Sequence, residues 1–120
     1  MHERIQFINH QKKLILLVDF SNCPPEEVEK ISRAVPDYVT TQPLSSVLVL
    51  SDFTGTVFDG DAIRAIKETA VFDKPYVKKS ALVGGVHLSE DLGQKLRDFS
   101  RRKFTTFKSR QEALTWLIEE

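Results

Sequence analysis

Short segments with strand patterns alternate along this chain with segments of helical periodicity, and this alternation constrains the fold more than any other feature. Residues 4–10 alternate between apolar and polar side chains, which is typical of a half-buried strand. Further strands are predicted at residues 14–20, 46–50, 81–83 and 104–108. Because helical segments separate the later strands, the sequence predicts a mostly parallel sheet covered by helices, with an antiparallel hairpin at its start.

Four helices are predicted, and each has apolar residues at helical spacing on one face. These residues are Val28, Ile31 and Val35, then Ile63, Ile66 and Ala70, then Leu92, Leu96 and Phe99, and last Ala113, Leu114 and Leu117. The predicted order is therefore β-β-α-β-α-β-α-β-α, in one α/β domain over residues 1–120. A chain of 120 residues has room for one such core.

Capping residues and prolines predict where the helices begin and end. Ser21 or Asn22 is expected to cap the first helix, since both side chains accept hydrogen bonds from free backbone amides. Pro36 is expected to end or bend that helix near Ala34. The Ser109–Glu112 segment has the spacing of a capping box at the start of the last helix.

Composition narrows the classes of partner and cofactor. Seventeen basic residues balance seventeen acidic ones, which argues against general binding of nucleic acid or of a membrane surface. The lone Cys23 forms no internal disulfide, and with three scattered histidines it makes no zinc site, so we expect no metal and no cofactor. No apolar run approaches the roughly 20 residues of a membrane span. Without a signal-peptide pattern at the start, the expected location is the cytoplasm.

Sequence motifs after Asp73 resemble a known group of proteins. The segments are DKPYVKKSALVG at 73–84, RRKF at 101–104 and FKSRQEALTWL at 107–117. They are similar to uncharacterised bacterial proteins related to the STAS domain, the fold of sulfate-transporter domains and anti-sigma-factor antagonists. The resemblance implies a small α/β domain with an opening hairpin. It also implies a non-enzymatic regulatory role in binding a protein or sensing a ligand, although a fold alone does not fix a function.

The phosphorylation site of anti-sigma-factor antagonists is not matched. Those proteins carry a serine in an Asp-Ser-Ser-Gly-like turn before a helix, and the counterpart here is the Asp59–Asp61 turn, which contains no serine or threonine. Thr54 and Thr56 are the nearest hydroxyl side chains. The resemblance therefore does not extend to a switch controlled by a kinase at this turn.

Asp19 and Asp52 end two predicted buried strands. Ligands of open α/β sheets bind beyond the carboxyl ends of the strands, so the two carboxylates are expected on one rim. The candidate ligand-binding residues are Asp19, Ser21, Asp52, Thr54, Gly55, Asp59 and Asp61. One hypothesis is a cation- or hydroxyl-binding site of a small carrier or enzyme. The hypothesis that we favour is that each aspartate caps the turn after its own strand.

Other patterns carry less specific chemistry. A phosphorelay receiver would need a pair of acids beside Asp52 and Lys108, and only Asp19 is available. Cys23 has no histidine placed to activate it, and the Gly84–Gly85 turn lacks the lysine of a phosphate-binding loop. A basic stretch is interpreted as a solvated helix face rather than a surface for an anionic partner; it comprises Lys95, Arg97, Arg101, Arg102, Lys103, Lys108 and Arg110.

The sequence thus predicts a STAS-like regulatory or binding module without catalytic residues. A small-molecule carrier or small enzyme at the Asp19–Asp52 rim is the alternative. A protein partner is expected. Self-association as a two-fold dimer is expected as well, because a domain of this size has exposed helix faces and two-fold dimers are the commonest oligomers.

Overall fold

The computed structural model describes residues 3–84, 96–98 and 102–119 of the chain. Five strands and three helices have defined bounds, together with a short 3-10 helix at Lys74–Tyr76. The strands are β1 (Ile5–His10), β2 (Lys13–Asp19), β3 (Val47–Asp52), β4 (Val77–Val83) and β5 (Thr105–Phe107). The helices are α1 (Pro25–Val39), α2 (Gly60–Asp73) and α3 (Arg110–Leu117).

The strands form one mixed sheet in the order β1-β2-β3-β4-β5. Strand β1 is antiparallel to β2, and every later pair is parallel, which confirms the predicted fold class. Gln11 and Lys12 form the hairpin turn with positive φ angles of 48° and 68°, the conformation that matches the twist of paired strands. The parallel pairing of β2 with β3 sets Asp19 directly beside Asp52.

Each face of the sheet carries its own hydrophobic core. Helices α1 and α2 pack on one face, around side chains such as Leu16, Val49 and Leu82. On the other face, Ala113 and Leu117 of α3 pack against Ile15 and Leu50. Residues 96–98 are helical, and Leu96 is buried with the α1 and α2 core. The rest of the predicted third helix, with Leu92 and Phe99, lies outside the described residues.

Helix α1 differs from the prediction at its end and at its cap. It does not end near Ala34 but continues through Pro36 to Val39, because Tyr38 and Val39 beyond the proline are buried. A proline inside a helix costs about 3 kcal/mol, and each buried large side chain contributes about 1.5–3 kcal/mol, so burial outweighs the break. Neither Ser21 nor Asn22 caps α1. Pro24 holds the cap position without a side-chain hydrogen bond.

Helices α2 and α3 largely follow the predicted patterns. Asp59 caps α2 by accepting from the Ala62 amide, and Ser109 caps α3 by accepting from the Glu112 amide. Ile63 is only half-buried, and Ala62 and Ala65 are buried in its place. None of the helices in the described ranges is long and apolar enough to cross a membrane.

Candidate functional site

The carboxyl ends of β2 and β3 form a rim where Asp19 and Asp52 lie side by side. Each aspartate caps the turn that follows its strand. The Ser21 amide donates to Asp19 Oδ1 at 2.9 Å. The Thr54 amide and hydroxyl donate to Asp52 Oδ1 at 2.9 and 2.7 Å. The capping geometry is therefore the one predicted from the sequence.

Arg110 bridges the two carboxylates. Its Nε donates to Asp52 Oδ2 at 2.6 Å, and its Nη2 lies 3.2 Å from Asp19 Oδ1. On the other side of Asp19, Arg4 Nη1 lies 3.6 Å from Oδ2 and donates to the Ser21 carbonyl at 2.9 Å. The planar guanidinium of arginine suits such a bridge because its donors point in fixed directions.

Burial and charge act in opposite directions on Asp19. Burial alone raises the pKa of Asp19, but hydrogen bonds from Ser21 and the charges of Arg110 and Arg4 lower this pKa below its usual value. The Asp19 carboxylate therefore remains ionised at neutral pH, held by two arginines. Sequence analysis did not identify either arginine as its partner. The position of Arg110 in the sequence was the available signal. Arg110 begins the helix that follows β5, and β5, being parallel to β4, ends on the same side of the sheet as the rim.

The loops of the rim are bonded to each other as well as to the aspartates. The Asn22 amide donates to the Thr54 carbonyl at 2.8 Å, and the Val57 amide donates to the Cys23 carbonyl at 3.0 Å. Gly55 has a positive φ of 68°, and a side chain there would meet Asn22 at 2.3 Å. Glycine at this position thus permits both the turn and the close approach of the two loops.

Two of the candidate residues, Asp59 and Asp61, lie at the start of α2, and Thr56, named above only as a nearby hydroxyl, lies in the interior. Thr56 is buried, and its hydroxyl donates to the Phe20 carbonyl at 2.7 Å. Asp59 is occupied as the cap of α2, whereas Asp61 is exposed and lies 3.7 Å from Arg64. The structure does not join Asp59 or Asp61 to the Asp19–Asp52 pair through any hydrogen bond among the described residues.

The bridged carboxylates are poorly placed for binding a cation. Both oxygens of Asp52 already accept hydrogen bonds, and a metal ion there would lie beside the positive charge of Arg110, which opposes its binding. Within residues 3–84, 96–98 and 102–119, no cluster of three acidic, histidine or cysteine side chains could hold a metal. Cys23 is buried, and this burial raises the pKa of its thiol, which makes it a weaker nucleophile at neutral pH.

The basic stretch predicted to be a solvated face instead contributes half-buried side chains that bond to protein groups. Arg97 donates to the Phe104 carbonyl at 2.8 Å, and Arg102 donates to the Ala70 carbonyl at 3.0 Å and to the Ser80 hydroxyl. With Arg110, three arginines of this stretch bind protein groups, so the earlier interpretation is wrong for them. Lys103 and Lys108 are exposed. Lys95, Arg101, Gly85 and His87 lie outside the described residues.

A small cavity lies between the sheet and helices α1 and α2. Its volume is about 50 Å³, and its lining is mainly apolar. Two buried polar atoms at this cavity, Ser32 Oγ and Asp73 Oδ1, have no hydrogen-bond partner among the described residues. Burial raises the pKa of Asp73 to about 7, although the charge of Arg102 opposes this rise. The cavity has room for roughly one or two waters, since each occupies about 30 Å³ in the liquid.

Comparison with known proteins defines the fold. No protein-family model and no curated protein matches the sequence. Among solved structures, the chain is similar to an uncharacterised protein of the DUF3478 family, with a SpoIIAA-like fold, from Shewanella loihica PV-4. The TM-score is 0.74 at 18% sequence identity, over 94% of this chain and 91% of that one. The chain therefore has the SpoIIAA-like, or STAS-like, fold that its sequence resemblance implies.

Proposed function

We propose that this chain is a non-enzymatic regulatory module that binds a protein partner at the strand-end rim. The bridge from Arg110 to Asp52 and Asp19 is the observation that carries the proposal. Because turn amides and a guanidinium bind the two carboxylates, the carboxylates stabilise the loops of the rim rather than react with a substrate. A rim held in one conformation presents a preformed surface, which lowers the entropic cost of binding.

The exposed groups beside this bridge indicate the chemistry of the partner. Val57 is 58% exposed, a high value for an apolar side chain, and it lies between the exposed Thr54–Gly55 turn and the start of α2. Asp59 and Asp61 add two carboxylates at that helix start. We infer that the partner presents a small apolar patch flanked by basic side chains, since charge complementarity steers association.

Substitution of the exposed valine tests this proposal. Val57→Asp places a charge in the proposed interface. Leu44→Asp is the matched control, because Leu44 is 67% exposed and lies in the loop before β3, at the end of the sheet opposite the rim. Each variant is immobilised and used to capture proteins from cell extract. A protein that binds the wild type and Leu44→Asp but not Val57→Asp is purified, and its binding to each variant is measured by calorimetry. We expect saturable binding that Val57→Asp weakens at least tenfold.

Two outcomes would contradict the proposal. One is equal affinity of the purified partner for the wild type and for Val57→Asp, which would place binding elsewhere. The other is turnover of a small molecule that Asp52→Asn abolishes while Val57→Asp leaves it intact. That second outcome would support the carrier or enzyme alternative at the Asp19–Asp52 rim.

We also propose that the chain forms a two-fold dimer. Two neighbouring apolar side chains at the end of α2, Val71 and Phe72, are 45% and 54% exposed, which supports a contact between copies. Light scattering of the wild type at micromolar to near-millimolar concentration should give the mass of a dimer, and Phe72→Ser should shift it towards the monomer. A monomer mass for the wild type across that range would disprove the dimer.

A further inference from the structure

One groove lies near the amino ends of β4 and β5, at the end of the sheet opposite the rim. It is lined by two basic motifs that are distant in the sequence, residues 74–80 and residues 102–103. The groove has a volume of about 240 Å³. Among the described residues it is lined by Lys74, Val77, Lys78, Lys79, Ser80, Arg102 and Lys103, of which five are basic and none is acidic. The first motif leads into β4, and the second precedes β5. The proposed protein-binding rim does not involve either motif.

Two of these cations are held by protein groups. Lys79 Nζ donates to the carbonyls of Trp116 and Glu119 at 2.9 and 2.7 Å, and it lies 4.7 Å from the Trp116 ring centre. Arg102 donates to the Ala70 carbonyl, lies over the Phe104 ring, and is attracted by the buried Asp73 carboxylate. Both charges are therefore held by protein groups, that of Lys79 on the face covered by α3 and that of Arg102 beside α2.

The other three cations, Lys74, Lys78 and Lys103, are exposed. No acidic residue in the described part of the chain lines the groove to pair with them. Because the whole chain has a net charge of zero, this concentration of positive charge is local. A concave surface lined by like charges focuses a positive potential, and the charge of Arg102 contributes to it because partial burial leaves that charge less screened by water. An anion that enters the groove would relieve the repulsion among the lysines.

We propose that this groove is a binding site for a small, multiply charged anion, namely a phosphate group, either free or as the monoester of a small molecule. Phosphate oxygens accept charge-assisted hydrogen bonds from lysine ammonium groups, and three exposed lysines line the groove. The volume lies below the roughly 300–1,000 Å³ of sites for drug-sized ligands, so the ligand is compact. A nucleic acid would need an extended basic track rather than one groove on a neutral protein.

Calorimetric titration of the intact protein tests the site with two probes, inorganic phosphate and glycerol 3-phosphate, at constant ionic strength in chloride. We expect saturable binding of at least one probe in the millimolar range or tighter. If the ester binds more tightly, the site takes a phosphate monoester, and if the two probes bind equally, it takes the phosphate group alone. Chloride at the same ionic strength should not saturate the site.

Lysine variants locate the binding. Lys78→Gln and Lys103→Gln each remove one exposed charge and should weaken binding about fivefold, as expected for one partly screened charge contact. Lys108→Gln is the matched control, because Lys108 is exposed just beyond β5 at the rim edge, and it should leave the affinity unchanged. Absence of saturable binding to both probes would overturn the proposal. Equal weakening by Lys108→Gln would also overturn it, because the attraction would then be general rather than local.

Discussion

Arg110, the first residue of helix α3, donates from Nε to Oδ2 of Asp52, the last residue of strand β3, across 2.6 Å. The Asp52 side chain is only 7% exposed, so this charge has lost most of its water. Charge-assisted hydrogen bonds to such a group are the strong kind in proteins. The contact joins the helix on one face of the sheet to the central strand.

Removal of the arginine should therefore destabilise the whole domain. Arg110→Ala leaves the buried Asp52 carboxylate without its cation, and we expect a loss of about 2 kcal/mol in the free energy of unfolding. Arg110→Lys should recover only part of this loss, because a single ammonium group cannot span two carboxylates as a guanidinium does. Urea denaturation of each variant measures both effects.

A double-mutant cycle isolates this pair. Arg110→Ala combined with Asp52→Asn should be less destabilised than the sum of the two single variants, by about 1–2 kcal/mol. A strictly additive result would mean that the hydrogen bond contributes nothing to stability, contrary to its geometry.

The two aspartates should respond differently to loss of charge. In Asp19→Asn the amide oxygen still accepts from Ser21, so we expect a cost below about 1 kcal/mol. Asp52→Asn keeps the turn but loses the charged contact with Arg110, and we expect about 1–2 kcal/mol. The replacement of either aspartate by alanine should cost more than its replacement by asparagine, because the cap is lost as well.

Millimolar magnesium or calcium should leave the melting temperature of the wild type unchanged, since turn amides and Arg110 already hold the two carboxylates. A ligand that binds only the folded state raises the melting temperature. A rise with added cation that Asp52→Asn abolishes would show that the carboxylates bind metal after all.

Asp73 makes stability fall as the pH rises. Its pKa is raised from 3.8 in the unfolded chain to about 7 in the fold, mainly by burial. Between these values the folded state binds more protons than the unfolded state, so the free energy of unfolding decreases from about pH 4 to about pH 7 and stays low above it. The full difference is on the order of 4 kcal/mol at 1.36 kcal/mol per pKa unit.

Asp73→Asn removes this titration. The variant should be more stable than the wild type at pH 8, and the difference between the two should shrink as the pH falls towards 4. Denaturant titrations of both proteins at several pH values measure this difference directly. Parallel pH profiles for the two proteins would show that Asp73 does not titrate with a raised pKa.

The cap of α2 should not accept phosphate. Asp59 holds the cap position and Gly60 follows it, so no hydroxyl is available in the turn. Thr56 is buried and hydrogen-bonded, whereas Thr54 is exposed. After incubation with candidate kinases, intact-mass measurement should show no added phosphate on the wild type. A stoichiometric phosphate mapped to Thr54 would indicate a displaced switch.

The fold was more predictable from the sequence than the contacts of the site. Strand and helix patterns depend on neighbouring residues, and they placed Asp19 and Asp52 at the ends of adjacent strands. The bridge from Arg110 depends on a contact across 58 positions in the chain, which local patterns do not encode. Pro36 misled the prediction for a similar reason, since tertiary burial of Tyr38 and Val39 decided where α1 ends. The role of Arg102 also depends on long-range contacts, with Ala70 and Ser80.

Helix α3 has a consequence for the order in which the domain is made. Among the described elements it is the last to leave the ribosome, and it is also the one described helix that covers its face of the sheet. Until residues 110–117 emerge, Ile15 and Leu50 lie on an apolar surface open to water, and Asp52 lacks its cation. The nascent chain can therefore assemble its α1 and α2 layer early, but this apolar face is covered only after α3 has been synthesised. Until then the exposed face favours aggregation with other incomplete chains.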